Sequence, residues 1–103
     1  MNVTEEIAQI VAATQFEDLP GETIDIAKPL ILDSLAVSIA GAASSLGRIT
    51  LNMGSETLRG NDATVIGGDF TSSVASAAYI NGTLAHALDV DDTAAGTVAH
   101  PSS

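Results

Sequence analysis

A chain of 103 residues has room for one small domain, and its 13 acids against only Lys28, Arg48 and Arg59 give a formal charge of −10. That balance argues against nucleic acid and anionic membrane as partners, since both are held by Lys and Arg. The absence of cysteine excludes disulfides, thiolate zinc and cysteine-ligated clusters. With 46% apolar residues, 3% aromatics and no tryptophan, the core must come from Ala, Ile, Leu and Val, which suits close-packed helices.

The start, Met1-Asn-Val-Thr-Glu-Glu, has no basic residue ahead of its apolar ones, so no signal peptide and a cytoplasmic location are expected. Thr4 followed by Glu5 and Glu6 predicts a capped helix start. Ile7, Ile10, Val11 and Thr14 continue it at helical spacing, and Pro20-Gly21 ends it. A second helix is predicted from Glu22 to Ala40, with Gly41 as its stop and a kink or break near Lys28 caused by Pro29. Leu30, Ile31, Leu32, Leu35, Val37 and Ile39 cover nearly every side of it, so it should be buried all round. Asp25, Lys28, Pro29 and Asp33 interrupt the stretch, which therefore does not read as a membrane span. Asp33, in its middle, should then be a buried carboxylate held by hydrogen-bond donors.

A weaker helix with two glycines is predicted over Leu46 to Leu58, followed by a turn at Gly60-Asn61-Asp62. Residues 63–67, Ala-Thr-Val-Ile-Gly, read as one short strand for which no convincing partner exists. Gly67-Gly68-Asp69 is a turn; it lacks the spaced glycines and the lysine of a phosphate loop. Ser72-Ser73 caps a last helix reaching about Leu88. Ala77, Ile80, Leu84, Ala87 and Leu88 fall on one side of it, and Ala75, Tyr79, Gly82 and His86 on the other, where small residues allow another helix or a ligand to approach.

The polar chemistry gathers at the end of the chain, where both histidines and three of the eight aspartates lie. His86 and Asp89 stand three apart and share a helix face if the helix reaches Asp89. Asp91 would land on the apolar side, so the helix should stop and a loop begin there. A calcium loop starting at Asp89 fails, because its sixth position is not glycine and its twelfth is His100 instead of glutamate. His86, Asp89, Asp92 and His100 are suitable transition-metal ligands, although their spacing matches no established motif. A histidine with carboxylates to orient it also suits proton abstraction beside a carboxylate. Composition by itself favours a solvated loop over either.

The run Asn81-Gly-Thr-Leu-Ala-His-Ala-Leu-Asp-Val-Asp-Asp-Thr93, followed by His100-Pro-Ser, resembles the signature of the MmgE/PrpD family. That family includes 2-methylcitrate dehydratases, cis-aconitate decarboxylases and iminodisuccinate epimerases. Upstream, Ile31-Leu-Asp-Ser-Leu-Ala-Val-Ser-Ile-Ala-Gly41 is similar to the family's early helix, and residues 63–67 to its short segment before the motif helix. Val90 departs from the usual Phe, and Ala94 stands where an aromatic or histidine is frequent. The larger departure is length, since members are several times longer.

The resemblance implies a mainly α fold in which residues 1–103 are the N-terminal part of a helical domain, completed elsewhere by further helices and an α+β domain. It implies metal- and cofactor-independent lyase chemistry on a small di- or tricarboxylate, of the kind used in propionate catabolism, with 2-methylcitrate dehydratase first among the activities. His100 would be the acid–base group, Asp89 would orient it or share its proton, Thr93 would bind a substrate carboxylate, and His86 would stand near them. No lysine or arginine lies in the motif region to hold such a substrate, so the chain should be inactive alone. The rival expectation is a stand-alone helical protein that keeps the motif for packing or for a partner. Under either, unfinished apolar faces predict a homodimer, a higher oligomer, or association with the remainder of the enzyme.

Overall fold

The structure, a computed structural model, describes residues 2–96 and 98–101. It is mainly helical, as expected, with one small sheet: α1 (Val3–Ala13), a 3-10 turn (Phe16–Asp18), α2 (Gly21–Ala42), α3 (Ser45–Thr57), β1 (Arg59–Thr64), β2 (Thr71–Ser72) and α4 (Val74–His86). Asn2, and not Thr4, caps α1: its Oδ1 accepts the Glu5 amide at 2.9 Å while Glu5 Oε2 accepts the Asn2 amide at 3.1 Å. Two otherwise orphaned donors are thereby satisfied reciprocally, and Thr4 lies inside the helix. The helix ends well before Pro20, at Ala13, where the Thr14 hydroxyl donates to the Ile10 carbonyl at 2.7 Å.

α2 runs unbroken through Pro29, which removes one rung of the ladder without ending the helix. Only Ser38 and Gly41 on it are buried, so the expectation of all-round burial is corrected. Ile31, Leu32 and Ile39 are each more than 60% exposed, and Asp33 is exposed and needs no buried donors. The reason is the supply of neighbours: among the described elements α2 packs mainly against α4 and α3. None of α1 is buried either. The Cα radius of gyration, 15.8 Å, accordingly exceeds the roughly 13 Å of a compact chain of this length. Among the described residues no single helix is long and apolar enough to cross a membrane; α2 and α3 meet both conditions only as a pair bent by 87°.

Gly41 does not stop α2, which continues to Ala42. A Cβ there would lie 2.0 Å from the Leu84 carbonyl oxygen, so the missing side chain is what lets α4 rest directly on α2. Gly47 plays the same part for α3, where a Cβ would meet the Gly41 carbonyl oxygen at 2.1 Å. The glycines of the weaker helix are thus contact points.

β1 starts at Arg59 and takes in the predicted turn at 60–62, where the ladder is irregular; it pairs antiparallel with β2, the partner that was not expected. Two residues are too few to show alternation, which is why β2 escapes a pattern search. The core is small: Val65, Phe70, Ala77, Ile80 and Leu84, flanked by Ala42, Leu51, Leu58 and Ala63. Asn81 fastens α4 to the end of β1, its Oδ1 accepting the Ile66 amide at 2.9 Å and its Nδ2 donating to the Thr64 carbonyl at 3.1 Å. Asn81→Ala leaves both backbone groups unpaired and is expected to cost about 1–3 kcal/mol in denaturant titration, with faster exchange of the Ile66 amide. Unchanged exchange at Ile66 would show the clasp to be slack.

Candidate active site

The site is built by the way α4 ends. Ser73 caps its start through the Ser76 amide at 3.3 Å, and Ala77, Ile80, Leu84 and Ala85 bury one side. This leaves Tyr79, Gly82 and His86 on the open side, as the face pattern anticipates. The helix stops at His86, short of Leu88. Asp89 takes φ of +54°, the left-handed region that Asp tolerates better than most residues, and its amide donates to the His86 carbonyl at 3.0 Å. The left-handed residue turns the chain back, and Asp91 tucks in beside His86.

Asp91 is the hub. Its side chain is only 2% exposed; its Oδ1 and Oδ2 lie 3.0 and 3.2 Å from His86 Nδ1, and Oδ2 lies 3.1 Å from His100 Nδ1. His100 returns to it because the Ala94 amide donates to the Ala99 carbonyl at 3.0 Å, closing a loop in which Gly96 has φ of +80°. The two imidazoles meet edge to face, centroids 4.5 Å apart at 69°. At His86 the contact is a hydrogen bond, and a neutral ring that donates its Nδ1–H carries its lone pair on Nε2, so Asp91 sets which nitrogen of His86 is basic.

Of the residues singled out in the sequence, the structure brings His86, Asp89 and His100 together and leaves Thr93 exposed outside the cavity. Asp89 is 82% exposed, with Oδ1 4.0 Å from His86 Nε2, so the carboxylate in closest contact with the rings is Asp91, to which sequence reasoning assigned no role. The one hint was its phase: a polar residue on the apolar side of a helical count is a residue with a buried partner.

His86 and His100 stand on the rim of an open depression of about 500 Å³. Leu46, Ala78, Tyr79, Gly82 and Thr83 line the rest of it. None of the three cations lines it. Lys28 pairs with Asp25 at 3.1 Å, Arg48 donates to the Ala43 carbonyl at 2.9 Å, and Arg59 donates to the Ser55 carbonyl at 2.6 Å while lying 5.6 Å from the Phe70 ring centroid.

A family model described as the MmgE/PrpD N-terminal domain matches residues 5–103. The chain belongs to the MmgE/PrpD family. No curated protein and no solved structure matches it. The MmgE/PrpD match takes in α1 from Glu5 onward, the later described helices and strands, the left-handed turn at Asp89 and the loop that returns His100.

Proposed function

We propose that this chain is the N-terminal helical part of a cytoplasmic MmgE/PrpD lyase acting on small di- or tricarboxylates without metal or cofactor, with 2-methylcitrate dehydratase chemistry placed before cis-aconitate decarboxylase or iminodisuccinate epimerase chemistry. The observation that carries the reading is the pair of imidazoles on one buried carboxylate at the rim of an open cavity. In this reading His100 removes the proton on the carbon next to a substrate carboxylate. The C–H electron pair moves onto that carbon and its carboxylate, the adjacent hydroxyl leaves as water after protonation, and a double bond forms. Asp91 holds the ring and offsets the charge it gains, His86 stands ready to protonate the leaving group, Asp89 shares the proton, and Thr93 donates to a carboxylate.

Charge says what must come from elsewhere. A substrate with two or three carboxylates needs cations, and the cavity offers none. The binding half of the site is therefore assigned to later helices and an α+β domain, and the chain alone is expected to be inactive.

Mixing the chain with the separately expressed remainder of an MmgE/PrpD enzyme should restore dehydration of 2-methylcitrate, followed by the absorbance of the new double bond. His100→Ala should then lower turnover by at least about 10²-fold. Undiminished turnover in that variant would remove His100 from the mechanism.

A second reading, a stand-alone helical protein that uses its apolar faces for association, is favoured by the exposure of Ile7, Ile10, Ile31, Leu32 and Ile39. Both readings expect a dimer or larger species in light scattering, and Ile31→Lys with Leu32→Glu should shift it toward monomer. A monomer in the unsubstituted chain across concentrations would count against the faces being sticky. Micromolar binding of citrate by the chain alone, surviving EDTA, would count against the incomplete site.

A further inference from the structure

We propose that His86, Asp89 and His100 form a site for one divalent transition-metal ion of the zinc type, with Asp91 as the carboxylate that steadies its ligands. The proposal goes beyond the lyase reading and stands whether or not that reading holds.

The three residues each offer one ligand atom, all within 4.8 Å of one another. In a tetrahedral site with metal–ligand bonds near 2.0–2.1 Å, ligand atoms sit about 3.3 Å apart. Closing round an ion thus requires each group to move by roughly 1 Å. That demand falls largely on the Asp89 side chain, which is 82% exposed and so free of close packing. Nor is it resisted by the fold, since the left-handed turn already sets Asp89 Oδ1 4.0 Å from His86 Nε2.

Asp91 is the second and independent observation. Histidines that bind metal are commonly steadied by a carboxylate on their other nitrogen, which fixes the tautomer and raises ligand basicity. Here the Asp91 carboxylate, 2% exposed, hydrogen-bonds His86 Nδ1 at 3.0 Å and lies 3.1 Å from His100 Nδ1. The arrangement leaves a three-ligand set of two imidazoles and a carboxylate beside an open cavity, where water or a small ligand completes the coordination. Two nitrogens to one oxygen select zinc, cobalt, nickel or copper over magnesium and calcium, which prefer oxygen alone. An ion held there occupies the imidazole lone pair that acid–base chemistry needs, so in a complete enzyme it inhibits.

The test is calorimetric titration of the whole chain with zinc chloride in chelator-free buffer, with cobalt substituted to read the coordination from its visible spectrum. One zinc per chain is expected, with cobalt giving the intense bands of a tetrahedral site. His86→Ala, Asp89→Ala and His100→Ala should each weaken zinc by at least about tenfold, and Asp91→Asn by about 10–100-fold. Magnesium should not compete. Absence of saturable zinc binding, or one-to-one binding indifferent to these substitutions, would overturn the site. If a variant loses its cooperative melt, the unsubstituted chain decides instead. Zinc should then shift the ring resonances of His86 and His100 together, and a titration that moves neither ring or only one of them refutes the proposal.

Discussion

Gly41→Ala is expected to break the contact between α2 and α4. Alanine is the better helix former by about 1 kcal/mol, which taken alone would stabilise α2. Against that stands a Cβ placed 2.0 Å from the Leu84 carbonyl oxygen and 3.0 Å from its carbon. These are backbone atoms of the neighbouring helix and cannot swing aside, so α4 must back away and the Ile80 and Leu84 packing opens with it. Overpacking of this kind costs about 1–3 kcal/mol and more where backbone must move, so the steric term wins. A chain of this size should lose on the order of 10 °C or more in melting temperature. Gly21→Ala is the matched control: a Cβ there meets nothing within 4 Å, and the substitution should be neutral or raise stability by up to about 1 kcal/mol. Equal melts for the two variants would refute the close approach of α2 and α4.

Asp91→Ala is expected to release both histidines at once. The carboxylate is 2% exposed and contacts His86 and His100 together, so its loss removes a group that ties the returning loop to the end of α4 through both rings. Losing a hydrogen bond to a buried charged group costs about 1.5–3 kcal/mol. Because the His86 side chain is 51% exposed, water recovers part of this, and about 1–3 kcal/mol is expected. Asp91→Asn keeps the volume and one acceptor and should lose less. Two-dimensional spectra of the ring resonances check the claim: in Asp91→Ala both histidines should move toward the shifts of free imidazole side chains. Rings that keep their native shifts would show that something other than Asp91 holds them.

Much of the helical frame is legible in residue order, because period, caps and breakers act locally: Ser73 before α4 and the Pro20-Gly21 boundary before α2 are of this kind. Misreadings arise where distant residues decide. Gly41 looks like a helix stop, yet its use is to admit the α4 backbone, which no local rule can foresee. The all-round apolarity of α2 implies burial, and within this chain only one side of it finds neighbours. Thr4 with Glu5 and Glu6 imitates a cap that Asn2 and Glu5 actually make. At the site, residue type is enough to draw attention to both histidines and to the aspartates beyond α4. Which aspartate sits between the rings depends on a left-handed turn at a residue other than glycine, and residue type does not announce that turn.

The loop tied by the Ala94–Ala99 hydrogen bond separates two jobs that proteins often leave entangled. Its neck delivers His100 to Asp91, while a Cβ on Gly96 at its tip would meet no described residue within 4 Å apart from its chain neighbours. Lengthening such a loop is cheap, about 0.6 kcal/mol for each doubling. Residues can therefore be gained, lost or exchanged at the tip while the imidazole stays anchored, which makes the tip a place where new specificity can be tried without disturbing the residues below it.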